Sequence, residues 1–336
     1  MCLGKPRHPQ AAAPALSPPA SGPDRVCWAL IAIYTKMGTD GFLFTAADAR
    51  TRPHSGFVGA MRISIIVASR NAAPTIGRCL DSIAQQQHPD IETVVADGGS
   101  SDGTVELLKK RSASRGTSLV WFSESDSGIA EAWNKAVGRA TGDWVLFLGA
   151  DDCFASPDAL SRAAVVLEQA LPEHRVVYGQ VTLVATNGEE VGVLDRPWSP
   201  DEFHNCYYNL PHQAVFHHRS LFKEFGKFDT SLTIAAAFDF LLRALAEAEP
   251  LRVPGLTVTR MQIGGLSNSR VNAPKLVLEE MRLFRRHVGG IPWLHAWWLV
   301  KAWGKYALYC LGDDRLALFV TNLYRRLLRG EGPLRY

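Results

Sequence analysis

The stretch ISIIVASRNAAPTIGRCLDSIAQQQHPDIETVVADGGSSDGT, residues 63–104, decides the fold. Its apolar run from Ile63 to Ala68 reads as a buried strand, and after Pro74 the residues Ile76, Cys79, Leu80 and Ile83 recur at helical spacing. Ile91 to Ala96 is a second apolar strand. Strand, helix and strand in this order form a right-handed crossover, the unit of a parallel sheet.

The rhythm continues beyond that unit. Thr104 to Lys110 predicts a short helix, Leu119 to Ser123 a third strand, and Trp144 to Leu148 a fourth. Between the last two, Ile129, Ala132, Trp133, Ala136, Val137 and Ala140 line one helix face. A mainly parallel sheet covered on both faces is expected, an α/β architecture. Ser156 and Pro157 then open a helix whose buried stripe is Leu160, Ala164, Leu167 and Leu171. After it come shorter strands, Val176 to Tyr178, Val181 to Ala185, Val191 to Leu194 and Thr257 to Gln262, expected to form the half that meets a second substrate. A helix from Pro274 to His287 follows.

Three regions result. Residues 1–60 are dominated by Pro, Ala, Gly, Ser and Thr and lack periodicity, so they are expected to be disordered. Met61 stands directly before the first strand; if translation starts there, residues 1–60 are an extension wrongly assigned to the protein. Residues 61–270 form the main domain. Residues 271–336 form a helical, basic extension carrying Trp293, Trp297, Trp298 and Trp303 with Lys301, Lys305, Arg325, Arg326 and Arg329. That mixture suits either a membrane interface or a helix pair packing its tryptophans on the domain.

Bulk properties exclude other classes. Net charge is +3 with both signs interspersed, so no basic stripe for nucleic acid is present. The six cysteines show no CxxC pair or framework spacing, which fits a reducing compartment, the cytoplasm. No apolar run is long enough to span a bilayer, the Val26 to Tyr34 run included. A nicotinamide-dependent oxidoreductase would need a GxGxxG turn after the first strand, and ASRNAAPTIG lacks it.

Four segments fall at or just after strand ends, where open α/β sheets bind ligands. Ala68-Ser69-Arg70-Asn71 sits at a strand-to-helix turn whose N–H groups and Arg70 suit a phosphate or base. In DGGSSDGT, Asp97 to Thr104, Asp102 and Thr104 read as helix caps, whereas Asp97 at the strand tip suits a nucleobase or ribose. In DSGIAEAWNKA, Asp126 to Ala136, Asp126 and Ser127 suit capping or ligand binding, and Asn134 emerges about two turns later. FLGADD, Phe147 to Asp152, places adjacent acids after a buried strand, and two such carboxylates call for a divalent cation.

In this order the four segments resemble glycosyltransferase family 2, inverting enzymes of GT-A fold, over about Ile63 to Leu266. LPHQAVFHH at 210–218 and GGLSN at 264–268 resemble members that assemble exopolysaccharide or lipopolysaccharide. The resemblance implies a nucleoside-diphosphate-sugar donor held by Ala68, Ser69, Arg70, Asn71, Asp97, Asp126, Asn134 and Ala150. It implies Mg²⁺ or Mn²⁺ on Asp151, with Asp152 behind it, and a sugar or lipid-linked saccharide as acceptor. A lipid-linked acceptor would make peripheral attachment to the cytoplasmic face of the membrane sensible.

Two departures stand out. The acid that the family places two residues before the metal-binding one is Gly149 here. In LTIAAAFDFLLR, residues 232–243, the position of the family's general base is Ala237. Asp239 is the nearest acid, but on a regular helix it points about 200 degrees away from position 237. Asp239 is therefore either base or structural acid, and His212 either base or acceptor-positioning residue. The missing acids also admit a protein that binds nucleotide sugars without transferring them.

Overall fold

The computed structural model describes residues 61–113, 118–204, 210–265 and 272–289. The expectations for residues 1–60, for Leu266 to Asn268 of the GGLSN segment and for the Trp-rich stretch lie outside the described residues, as do Cys2, Cys27, Cys206 and Cys310.

The alternation is as expected in the first half. β1 (Ile63–Ser69), α1 (Ile76–Ala84), β2 (Ile91–Asp97), α2 (Thr104–Ser112), β3 (Leu119–Ser123), α3 (Ile129–Val137) and β4 (Trp144–Gly149) follow one another. β1 lies between β2 and β4, β3 lies outside β2, and all run parallel. The register pairs Ser69 with Asp97, Asp97 with Ser123 and Ala68 with Gly149, so the four strands end level along one rim. The sequence motifs are gathered on that rim because each directly follows a strand.

The second half adds β5 (Cys153–Phe154), α4 (Ala159–Ala170), β6 (Val176–Val184), β7 (Glu190–Leu194), α5 (Pro200–His204), a 3₁₀ turn (His212–Ala214), β8 (Val215–His218), α6 (Ser220–Glu224), α7 (Ala236–Ala244), β9 (Leu251–Gln262) and α8 (Ala273–His287). The nine strands run β3-β2-β1-β4-β8-β6-β9-β5, with β7 on β6. Four pairings are parallel and four antiparallel, so the mainly parallel expectation holds only as far as β4. β8, inside the LPHQAVFHH segment, enters antiparallel between β4 and β6.

Two local expectations are corrected. The runs around Gly179 belong to one strand: a Cβ there would lie 2.4 Å from the Leu256 carbonyl oxygen, so the glycine permits close approach of β9 and does not break β6. α4 begins at Ala159 rather than Pro157, with Asp158 at the cap position and the Ser156 hydroxyl donating to its carboxylate. Leu171 is not in the buried stripe. It is extended and 38% exposed, as the following Pro172 disfavours a helical conformation before it.

Successive β1 residues serve opposite faces of the sheet. Ile63, Ile65 and Val67 pack with α1 and α4, whereas Ile66 packs with α3, α7 and α8. α8 is fixed by charge as well as by Leu283 and Phe284. Its buried Glu279 accepts the N–H groups of Thr233, Ile234 and Ala235, each at 2.8 Å, just before α7. Those amides would otherwise be unsatisfied at a helix start. Among the described residues no helix is long and apolar enough to cross a membrane.

Candidate active site

Asp97 ties three strand tips together. Its Oδ1 accepts the hydroxyls of Ser69 at 3.1 Å and Ser100 at 2.5 Å. Its Oδ2 accepts the Ser100 N–H at 2.9 Å and the Ser123 hydroxyl at 2.6 Å. Burial alone would raise its pKa; these hydrogen bonds overcome that and hold it below the ordinary carboxylate value. Four donors fill a carboxylate's usual capacity. Asp97 is only 1% exposed beneath these donors.

The β1–α1 turn is knitted to the DGGSSDGT loop. Asn71 takes a left-handed φ of 52°, and the N–H groups of Asn71, Ala72 and Ala73 donate to Ser100 Oγ, Thr104 Oγ1 and Asp102 Oδ2. Those amides are therefore not offered to a phosphate. Asp102 also accepts from Thr104 at the start of α2, the capping role expected of it. Arg70 is exposed at the rim, Ala68 is half-buried and Ser69 is buried.

Asn134 works elsewhere. Its amide donates to the Phe228 carbonyl and accepts the Phe228 N–H, both at 2.9 Å, bracketing a loop 94 residues away. This corrects its placement among donor-binding residues, because both ends of its amide are committed to that loop. Asp126, by contrast, lies at the rim beside Gly98.

The paired acids close the rim at the end of β4. A Cβ built on Gly149 would lie 2.5 Å from Asp152 Oδ2 and 2.8 Å from Asp151 Oδ1, so both carboxylates converge on this glycine. Asp152 is 2% exposed and accepts the Gln262 N–H at 2.9 Å. Burial, then the Asp151 charge, pushes its pKa up to about 7. Converging acids of which one resists ionisation fit a divalent cation. Among the described residues no group of three or more His, Cys, Asp or Glu side chains is arranged to hold one. The two carboxylates would therefore leave remaining positions for water or diphosphate oxygens, the usual manner of Mg²⁺. Ala150, between Gly149 and Asp151 in the chain, is half-buried against the α1 and α4 face.

Residues that sequence reading passed over hold this loop. Arg78 Nη2 donates to the Asp151 carbonyl and to Gln262 Oε1, both at 2.9 Å. Cys79 Sγ donates to the Gly149 carbonyl at 3.4 Å. Nothing in the sequence marks them, since Arg78 reads as a solvent-facing helix residue and Gln262 as the end of a strand.

Neither expected base is presented to an acceptor. Asp239 is 1% exposed, ion-paired to Arg243 and Arg286 at 3.0 and 2.9 Å and hydrogen-bonded with His287 Nε2 at 3.0 Å. Burial would raise its pKa, but the His287 hydrogen bond, the Arg243 charge and Arg286 together keep it low. It is a structural acid joining α7 to α8. His212 stacks on Phe147 with centroids 5.0 Å apart and packs against Trp133; its Nε2 is sealed without a partner. Burial, then neighbouring His217, drives its pKa well below the usual value, so a proton there is strongly disfavoured. Ala237 is buried in the same core cluster.

His217 gives a pH-dependent prediction. It is fully buried, neither ring nitrogen has a partner of good geometry, and burial lowers its pKa to about 4 despite the nearby backbone of Val145 and Val215. The unfolded chain therefore binds this proton below pH ~6.5 while the folded chain refuses it until ~4. The stability from its neutral form is complete above ~6.5 and falls by roughly 3 kcal/mol as pH drops to ~4. Asp152, raised in the fold, works in the opposite sense, gaining stability as pH falls through about 7. Chemical denaturation of wild type and His217→Phe from pH 7 to 4 separates the two. The variant is expected to gain relative stability towards acid, and a constant difference would contradict the assignment.

The chain is similar to known proteins in sequence and in fold. Residues 64–224 match the model of Glycosyl transferase family 2. A PGL/p-HBAD biosynthesis glycosyltransferase of Mycobacterium bovis is 34% identical over 223 residues, 64% of this chain and 82% of the relative. An uncharacterized glycosyltransferase of Haemophilus influenzae is 29% identical over 192 residues, 55% of this chain and 62% of the relative. Among solved structures, S. aureus TarS 1–349 with UDP-GlcNAc superposes with a TM-score of 0.54 at 20% identity, covering 81% of this chain and 74% of that one. Mannosyltransferase PcManGT from Pyrobaculum calidifontis, with GDP-Man and Mn²⁺, gives 0.52 at 18% identity, covering 91% and 90%. The fold is GT-A.

Proposed function

The chain belongs to glycosyltransferase family 2, and from that premise we propose that it transfers a sugar from a nucleoside-diphosphate donor to a hydroxyl acceptor with inversion, in cell-surface polysaccharide assembly. The observation that carries the reading is the convergence of Asp151 and Asp152 over Gly149, level with the tips of β1 and β2. The nucleoside would lie against Ala68 to Asn71, with the diphosphate reaching towards Asp151. Neighbours bound to UDP-GlcNAc, or to GDP-Man and Mn²⁺, support a nucleotide-sugar donor and a metal.

A divalent ion held by Asp151, with Asp152 behind it, would offset the charge that builds on the leaving diphosphate. The chain's own residues fix the loop that carries these acids: Arg78 and Gln262 from one side, Cys79 from beneath. With Ala237 in place of an acid and Asp239 held by Arg243, Arg286 and His287, neither position offers a base for proton removal. A positioned base usually contributes ~10²- to 10⁴-fold, so slow turnover is the expected consequence.

The test is incubation with UDP-, GDP- and dTDP-sugars, Mn²⁺ and a panel of saccharide acceptors, reading the released nucleoside diphosphate and the anomeric configuration of the product. Product of opposite configuration supports the proposal, and product of retained configuration contradicts inversion. The reading extends to the cytoplasmic face of the membrane, with residues 291–336 as the contact. Deleting them should move the protein from the membrane pellet to the supernatant; unchanged sedimentation would sink that part.

A further inference from the structure

One face of α8 is committed to the domain. Glu279 and Leu283 are buried there, with Glu279 on the amides that open α7. Arg286 reaches Asp229 and Asp239, and His287 reaches Asp239. These bonds fix the rotation of the helix about its own axis, so the opposite face is fixed as well.

That opposite face is cationic. At about 100 degrees per residue, Lys275, Leu278, Arg282 and Arg285 fall within an arc of about 80 degrees, and all four are exposed. The stripe runs about 15 Å along the helix. Neither acid of α8 lies in the arc, since Glu279 is buried and Glu280 stands farther round. None of the three cations has an ion pair or hydrogen bond among the described residues. Exposed arginines elsewhere are matched: Arg62 with Asp90, Arg139 with Glu124 and Arg260 with Glu190. Leu278, 49% exposed, stands among the unmatched ones.

We infer that this face of α8 docks on an anionic lipid surface, with the three cations on headgroups and Leu278 at the acyl boundary. An acidic protein or a nucleic acid would answer the cations but not the leucine; an anionic membrane answers both. The chain beyond α8 has the composition of an interfacial segment, with Trp293, Trp297, Trp298 and Trp303 beside Lys301 and Lys305. The inference rests on the membrane reading above and names the surface and the lipid class. It also has a consequence for the domain. Because Glu279, Arg286 and His287 bolt α8 to α7 and to the residues before it, docking ties the segment that opens α7 to the lipid surface.

The test is flotation of the full chain with vesicles of phosphatidylcholine, alone or mixed with phosphatidylglycerol. Wild type is expected to float with the mixed vesicles and to be released from them by high salt. A Lys or Arg near an anionic surface contributes about fivefold in affinity, so the combined Lys275→Gln, Arg282→Gln and Arg285→Gln variant should bind about 100-fold more weakly. Leu278→Ser should weaken binding with the charges intact. Melting temperatures should stay at the wild-type value, as these side chains have no partner in the fold to lose. Unchanged binding by the triple variant, with binding lost on deletion of residues 291–336, would overturn the inference and leave the membrane reading intact. Equal binding to neutral and mixed vesicles would overturn the anionic assignment, and so would a wild type that ignores both vesicles but binds polyglutamate. Wild type that binds nothing would overturn the inference and the membrane reading together.

Discussion

Asp151→Ala is expected to lower sugar transfer by about 10³-fold or more, because charge developing on a leaving diphosphate is worth several kcal/mol when met in place. The fold should survive. Asp151 is only half-buried, and its described contacts run through its backbone carbonyl, which Arg78 holds whatever the side chain. Removing its charge also removes one of the two causes that raise the Asp152 pKa. The check is turnover of a sugar nucleotide at saturating Mn²⁺ beside a circular dichroism melt. A loss of less than tenfold in a folded variant would show that Asp151 does not hold the metal.

Gly149→Asp is the second large effect, and it runs against intuition. The substitution restores the acid that the family pattern has two residues before the metal-binding one, so sequence alone suggests a tighter metal site. The structure predicts the reverse. A Cβ at this position would stand 2.5 Å from Asp152 Oδ2 and 3.1 Å from its Cγ, and no real Cβ tolerates such approach. Asp152 cannot swing away cheaply, since the Gln262 amide holds it and it is buried. Transfer is expected to fall at least about 100-fold, as a shift of an ångström at the reacting groups does. Gly149→Ala carries the same Cβ without the charge, so it should show most of the loss. Enhanced Mn²⁺ affinity in Gly149→Asp would contradict this account.

The first four strands and their helices were legible because buried parallel strands write continuous apolar runs and their crossovers write helical stripes. The site's position was legible for the same reason, as strand ends locate a rim. What each rim residue does was much less so. The hydroxyls of Ser69 and Ser123 on Asp97 were not legible, because they come from neighbouring strands that only the register brings alongside. Asn134 and Asp239 looked functional because their partners, Phe228 and the Arg286–His287 pair, lie 94, 47 and 48 residues away.

The glycines carried the least readable information. Gly98 and Gly149 appear in the sequence as missing acids or loose turns. In three dimensions each marks a space already filled by the carboxylate of another residue, Asp126 in one case and Asp151 with Asp152 in the other. Periodicity cannot report that, because the neighbours arrive from different loops. β8 escaped notice for a related reason: four residues between two histidine-bearing turns are too short for a pattern.

The proposed site is a metal-dependent nucleotide-sugar site at the rim of β1, β2 and β4. It is tested most directly by calorimetric titration of the purified protein with UDP, GDP and dTDP, with and without Mn²⁺. The account predicts that one nucleotide binds and that Mn²⁺ strengthens its binding in wild type but not in Asp151→Ala. Binding of none of the three, or binding indifferent to Mn²⁺ and to Asp151, would contradict it.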